Sequence, residues 1–301
     1  MLTLPRGLVP IFLRVAGANR TFVSAAGAHR KVRERELRPS TYGPPSRLRP
    51  DVRVDVVLGH DWPVYTVSPR RGTPTGSVVY VHGGGWVNQI VLQHWQLAAQ
   101  IAAESNTTVI LPIYPLVPFG TATDAAAGVS TIVRESIERY GSASIAGDSA
   151  GGQIALSVAQ VLRDEHGVVL PRTVLISPAL DLTWSNPRIP AVQPTDPWLG
   201  VPGGRVLAEK WRGDLDLLDP LVSPLAGDLA GLGPITLFSG TRDVLNPDAH
   251  LLVERARVAG VELDFQEGVG DVHVYPLLPI RSGRDARAVI VAALGRAAVP
   301  R

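Results

Sequence analysis

Four groups of residues in this chain are of the right types, in the right order, to do chemistry together. The first is Gly147-Asp148-Ser149-Ala150-Gly151, set between an apolar run and a helical one. Glycine weakens both strands and helices, so its repetition here marks a backbone that must turn sharply around one hydroxyl. A G-x-S-x-G between strand and helix is the pattern of a nucleophile elbow, with Ser149 as nucleophile. The competing reading is a Gly-rich turn that caps a helix or holds a phosphate.

A serine hydroxyl is a weak nucleophile until a base takes its proton and a third group orients the base. Three histidines follow Ser149 in the chain: His166, His250 and His273. His166 ends the helix that starts at the elbow, and His250 falls within a helical pattern. His273, in "EGVGDVHVYPLL", lies in a loop after the last expected strand and is the candidate base. Asp243, in "LFSGTRDVLNPDAH", follows the end of a strand, at the edge where the elbow also lies, and is the candidate acid. Asp248 is the runner-up, and Asp271 is too close to His273 in sequence to meet its ring well. The fourth group is His82-Gly83-Gly84-Gly85. Consecutive glycines let several N–H groups aim at one spot, and the N–H of Ala150, just after the nucleophile, would complete an oxyanion hole. A phosphate loop is the alternative, but no Lys follows and the spacing is not that of a dinucleotide fingerprint. His82 reads as a brace for this loop.

These residues need elements to position them. "VRVDVVL" and "PVYTV" read as two strands of a hairpin. "SVVYVH", "TVILPIY", "ASIAG", "TVLISP", "ITLFSG" and "VELDFQEG" read as further strands. Helices are expected over "QHWQLAAQIAAES", "TATDAAAGVSTIVRESIERY", "GGQIALSVAQVLRDEHG", "NPDAHLLVERARVAG" and "RSGRDARAVIVAALGRA". Such alternation predicts an α/β fold with a mainly parallel sheet covered by helices on both faces. Residues 181–230, rich in Pro, Asp, Gly and Trp, are too long for a plain connection and suit a lid or binding element.

Composition narrows the classes. The 301 residues, 45% hydrophobic, suffice for one large domain with a sizeable core. The net charge of +2 does not by itself point to a polyanionic partner. The basic run "HRKVRERELRPS" reads as a solvated helix face rather than a nucleic-acid patch, because Glu34 and Glu36 interrupt it. The absence of Cys excludes disulfides and thiolate metal sites, and no metal-ligand cluster is visible. "GLVPIFL" is apolar, but Pro10 and Arg14 break it short of a secretory leader. A cytoplasmic protein without a membrane span is expected.

The motifs together resemble the hormone-sensitive-lipase-like family of α/β-hydrolase esterases, in the branch with a GDSAG elbow. The likeness rests on HGGGW (82–86), GDSAG (147–151), "SPALDLT", "DPLVSPL", "SGTRDVLNPDA" and "DVHVY". It implies a serine carboxylic-ester hydrolase with Ser149, Asp243 and His273 as triad. Gly84, Gly85 and Ala150 would be the oxyanion donors, and Gly83 and His82 would support the loop. It implies a helical cap from residues 1–50 and an insertion at about 184–215 over a catalytic domain of residues 51–301. No cofactor is implied. Short- to medium-chain acyl esters are the expected substrates, since no wide apolar lid surface is visible for long-chain lipolysis. Trp86, Asp148, Trp184, Trp198 and Trp211 are the expected pocket residues. One segment departs from the family, where Tyr114-Pro115-Leu116-Val117-Pro118-Phe119 replaces a Y-R-L-A-P-E-like stretch, so polar support near the site should differ. Amide, carbamate or lactone hydrolysis by the same triad stays open, as does a homodimer. A ligand-binding relative that has lost its base is disfavoured by the presence of His273.

Overall fold

The computed structural model describes residues 5–15, 17–57 and 61–298. Leu58, at the end of the first expected strand, lies outside the described residues, as do His60 and residues 1–4 and 16 of the N-terminal segment. In chain order the elements are α1 (Val9–Val15), α2 (Ala25–Leu37), β1 (Val52–Val57), β2 (Val64–Pro69), β3 (Ser77–Val81), α3 (Leu92–Ser105), β4 (Thr108–Pro112) and α4 (Ala122–Tyr140). They continue as β5 (Ala143–Asp148), α5 (Ala150–His166), β6 (Thr173–Ile176), α6 (Ile189–Val192), α7 (Val201–Trp211), β7 (Ile235–Gly240), α8 (Asn246–Val258), β8 (Leu263–Gly268) and α9 (Arg281–Ala297).

The strands form one eight-stranded sheet in the order β1-β2-β4-β3-β5-β6-β7-β8. The β1–β2 and β2–β4 pairs are antiparallel and all later pairs are parallel. Because side chains alternate along a strand, the sheet divides the core in two. Val79, Val81, Ile145, Leu175 and Leu237 join the cluster under α4, α5 and α8. Val78, Tyr80, Ala146, Val174 and Phe238 join the one under α3 and α9. Strands buried on both faces read as near-continuous apolar runs, and β3 to β7 are buried at every position.

Local chemistry sets the helix limits. At the start of α4 the Asp124 carboxylate accepts from both the Thr121 N–H and its hydroxyl, each at 2.8 Å. Gly141 ends that helix at φ 77°, and Gly167 ends α5 at φ 64°, both left-handed. The Arg-rich segment is the helix α2. Its Ala28 and Val32 are buried while Arg30 and Arg33 face solvent. It packs on α7, where Gly203 N–H donates to Phe22 O at 2.9 Å and a Cβ on Gly203 would crowd that backbone. Thus residues 17–37 and the insertion lie side by side, above the ends of the parallel strands.

Candidate active site

The elbow forms where β5 meets α5. Ser149 is held at φ 53°, ψ −119°, a region that L-residues seldom occupy, at an expense of order 1–3 kcal/mol. The turn closes only because its neighbours lack side chains. A Cβ on Gly147 would strike the Gly151 carbonyl, and one on Gly151 would strike the Val81 carbonyl of β3. Ser149 N–H donates to Ile176 O at 2.8 Å, pinning the turn to β6.

His273 reaches this hydroxyl from the loop after β8. Its Nε2 lies 2.9 Å from Ser149 Oγ, and its Nδ1 lies 2.8 Å from Asp243 Oδ2. Asp243 follows β7, is fully buried, and accepts the Leu245 N–H on its other oxygen at 3.0 Å. The His273 loop is fixed by Ser177, whose hydroxyl accepts the Val274 N–H at 3.0 Å. Burial alone would lower the His273 pKa. The charge and hydrogen bond of Asp243, helped by Asp196 and Asp148, outweigh it and hold the pKa above the ordinary value. Such a ring can accept a proton from Ser149 and be stabilised as imidazolium by the carboxylate behind it. Asp248 instead accepts from Asn186, and Asp271 from Ser282, so neither faces the ring. His250 pairs with Glu267, and His166 is exposed at the far end of α5.

The 82–85 loop is anchored by its carbonyls. His82 O accepts from the Tyr114 hydroxyl at 2.8 Å, and Gly83 O from His82 Nδ1 at 2.7 Å. Gly84 O accepts from Asn88, through both its side-chain amide and its N–H, each at 3.0 Å. In a trans peptide the C=O and the following N–H point opposite ways, so each anchor aims an N–H. That of Gly83 is taken by Asp148 Oδ1 at 2.9 Å. Those of Gly84 and Gly85 have no acceptor among the described residues, nor has that of Ala150 at the first turn of α5. Gly84 and Gly85 line, with Ser149, a cavity of about 770 Å³ lined also by Phe12, Phe22, Trp198, Leu199, Leu277 and Pro279, and Ala150 directly follows Ser149.

The expected pocket aromatics divide. Trp198 lines the cavity and meets the His273 ring edge-on at 5.7 Å. The expectation is corrected for the other three tryptophans, which do not line it. Trp86 and Trp211 stack at 6.0 Å and both donate to Gln153 Oε1 within the core, and Trp184 packs against Gly204. A large indole fills core as readily as pocket, and spacing in an irregular insertion does not reveal which. Asp148 lines the cavity, but its carboxylate serves the loop. Oδ1 also accepts the Tyr80 hydroxyl at 2.8 Å, and Oδ2 faces His94 Nε2 at 3.2 Å. Because His94 Nδ1 accepts the Val91 N–H, its Nε2 is the donor toward Asp148. Burial would raise the Asp148 pKa; His94, Tyr80 and Gly83 together pull it below the ordinary value, so a full charge sits beneath the loop. His82 is kept neutral, burial pushing it down to about 4. The sequence reading missed Tyr80, Asn88, His94 and Ser177. Asn88, four residues after Gly84, carried the one local signal.

A strained serine between strand and helix, on a doubly covered parallel sheet, defines an α/β hydrolase. A family model described as alpha/beta hydrolase fold matches residues 78–277, and the chain belongs to that family. A "Triacylglycerol lipase" of Mycobacterium tuberculosis is 34% identical over 71% of this chain, which spans less than half (45%) of that relative. An "Acetyl-hydrolase" of Streptomyces hygroscopicus is 31% identical over 74% of this chain and 77% of its own. Among solved structures, the HSL homolog EstE7 from a metagenome library superposes with a TM-score of 0.83 at 22% identity, over 99% of this chain and 100% of that one, a likeness of fold. Among the described residues no helix is long and apolar enough to cross a membrane.

Proposed function

We propose that this protein is a serine carboxylic-ester hydrolase acting on short- to medium-chain acyl esters through an acyl-enzyme. The observation that carries the reading is the unbroken chain Asp243–His273–Ser149 ending beside unpaired N–H groups. Ser149 Oγ attacks the ester carbonyl as His273 Nε2 takes its proton, and Asp243 steadies the imidazolium. The tetrahedral oxyanion is met by the N–H groups of Gly84, Gly85 and Ala150, each donor contributing about 10²–10³ in rate. His273 then protonates the leaving alcohol, leaving the acyl group on Ser149. Water, deprotonated by the same ring, releases the acid and restores the hydroxyl.

Residues 1–50 and the 184–215 insertion act as a cap in this reading, since both supply walls of the cavity. Its size, about 770 Å³, suits a modest acyl chain plus a small alcohol. The names of the relatives, among them a "Carboxylesterase NlhH" of Mycobacterium tuberculosis that is 28% identical over 92% of both chains, favour ester chemistry. The test is hydrolysis of p-nitrophenyl esters from acetate to palmitate, with Ser149→Ala as control. Turnover peaking at short to medium acyl chains and absent from the variant is expected. A folded wild-type protein without Ser149-dependent turnover on any ester overturns the reading.

A further inference from the structure

The helix α1 is apolar nearly all round. Its sequence VPIFLRV has one polar residue, Arg14. The inner face does what an apolar face should: Val9 and Leu13 are buried in the core cluster under α3 and α9, and both line the cavity. The outer face has no partner. Ile11 is 60% exposed, Phe12 64% and Val15 81%, and Leu8 in the preceding turn is 52% exposed. Such helices are ordinarily buried all round, and contiguous apolar exposure marks a surface that meets something else. Phe12 belongs to both regions, because it is exposed and lines the cavity. The unpartnered face therefore sits at the mouth of the cavity that holds Ser149.

Charge selects the occupant. Residues 1–50 contain ten of the 29 basic residues and two of the 27 acidic, so this segment carries +8 and the rest of the chain −6. Arg14, Arg30 and Arg33 are exposed and have no ion-pair partner among the described residues. A second copy of the chain docking through the same face would bring two segments of net positive charge together, which opposes a symmetric dimer there. An apolar helix face in a segment of net positive charge instead matches the interfacial zone of an anionic lipid layer, where apolar side chains sink past the headgroups and cations meet phosphates.

We infer that the N-terminal segment docks this protein on anionic lipid surfaces, with Leu8, Ile11, Phe12 and Val15 inserted and the cavity mouth facing the lipid phase. Esters dissolved in that phase would reach Ser149 without crossing water, which names the substrates of the proposed hydrolase as lipid-partitioned. The docking itself does not depend on that activity, and the two are read separately.

The full-length protein is sedimented with vesicles of phosphatidylcholine carrying about one third phosphatidylglycerol, and with phosphatidylcholine alone. Turnover of a water-soluble p-nitrophenyl ester is followed in parallel. Pelleting with the anionic vesicles is expected, at least about tenfold weaker on the neutral ones and weakened between about 0.1 and 0.5 M NaCl. The combined Ile11→Asp and Val15→Asp variant should lose pelleting by about tenfold or more while soluble-ester turnover stays within about twofold. Arg30→Glu with Arg33→Glu, which leaves the apolar face intact, should lose the anionic preference alone. Failure to pellet, or pelleting indifferent to both variants, overturns the inference. So does a dimer in sedimentation velocity that the aspartate variant dissociates, which would show a second copy on this face. Tighter binding to RNA or duplex DNA than to vesicles assigns the charge to nucleic acid and overturns it too. Loss of soluble-ester turnover in wild type would sink the hydrolase reading and leave the docking standing.

Discussion

The floor of the cavity and its roof are built on different principles. The floor is made of strand ends: the elbow after β5, the glycine loop after β3, the Asp243 turn after β7 and the His273 loop after β8. Its polar side chains are buried and tied by short hydrogen bonds, the oxyanion N–H groups being left toward the cavity, and its backbones touch at glycines. The roof, from α1, α2, α6 and α7, leans on apolar contacts and a few polar ties. One such tie is Arg35, which donates to Val87 O at 2.9 Å and Asn88 Oδ1 at 3.1 Å. Geometry on the floor is over-determined, whereas the roof is joined to it at separate points, among them Asn186 donating to Asp248 and the Val244 N–H donating to Asp196, each at 2.8 Å. Catalytic rate should therefore live in the floor, and substrate affinity and acyl preference in the roof.

The largest effect should come from the floor. Ser149→Ala, or Asp243→Asn, which leaves the ring without its anionic partner, is expected to lower kcat by about 10⁴-fold or more. A comparable kcat loss from any single roof substitution would break the comparison. Next comes the loop: a Cβ at Gly83 would strike the Asp148 carboxylate, so Gly83→Ala should tilt the oxyanion donors and lower kcat by about 10²–10³-fold with little change in KM. A third outcome is read from pH. His273 works as a base only when neutral, and its pKa is held above the ordinary 6.5. Activity should thus fall as pH drops, with the acid limb of kcat/KM centred above pH 6.5, and a limb below that value contradicts the assigned environment. Asp196 adds to this field. Burial and the Asp243 charge push its own pKa up to about 6, and Asp196→Asn should move the limb to lower pH. The smallest effect belongs to Arg35→Ala, which should lower kcat/KM by about tenfold or less by loosening the Asn88 anchor of Gly84. Lys at this position cannot span both acceptors and should restore only part.

The same division decided what the sequence could reveal. Ser149, His273, Asp243 and the 82–85 loop were nameable from sequence because a turn crowded by backbone on both sides requires glycine, and the strand–helix alternation fixes which edge they share. The mainly parallel sheet and the β1–β2 hairpin followed from the same periodicity, whereas the strand order, set by which crossovers the chain takes, did not. The supports of the floor were not legible. His94 meets Asp148 across 54 residues and Ser177 meets Val274 across 97, and no local pattern encodes such pairs. In the roof the orientation of side chains was not legible. Four tryptophans looked alike as pocket candidates, yet only Trp198 turns toward His273, because short helices in an irregular insertion carry no strong periodicity.

The glycine seam at the elbow also constrains inheritance. Every amino-acid substitution at Gly147 or Gly151 adds a side chain where the structure has backbone already in contact, so a lineage carrying this protein cannot drift there and keep the turn. Variation that alters which esters are accepted has to accumulate in the roof instead. A mutant library built for new specificity gains nothing from sampling the seam and is best confined to α1, α2, α6 and α7.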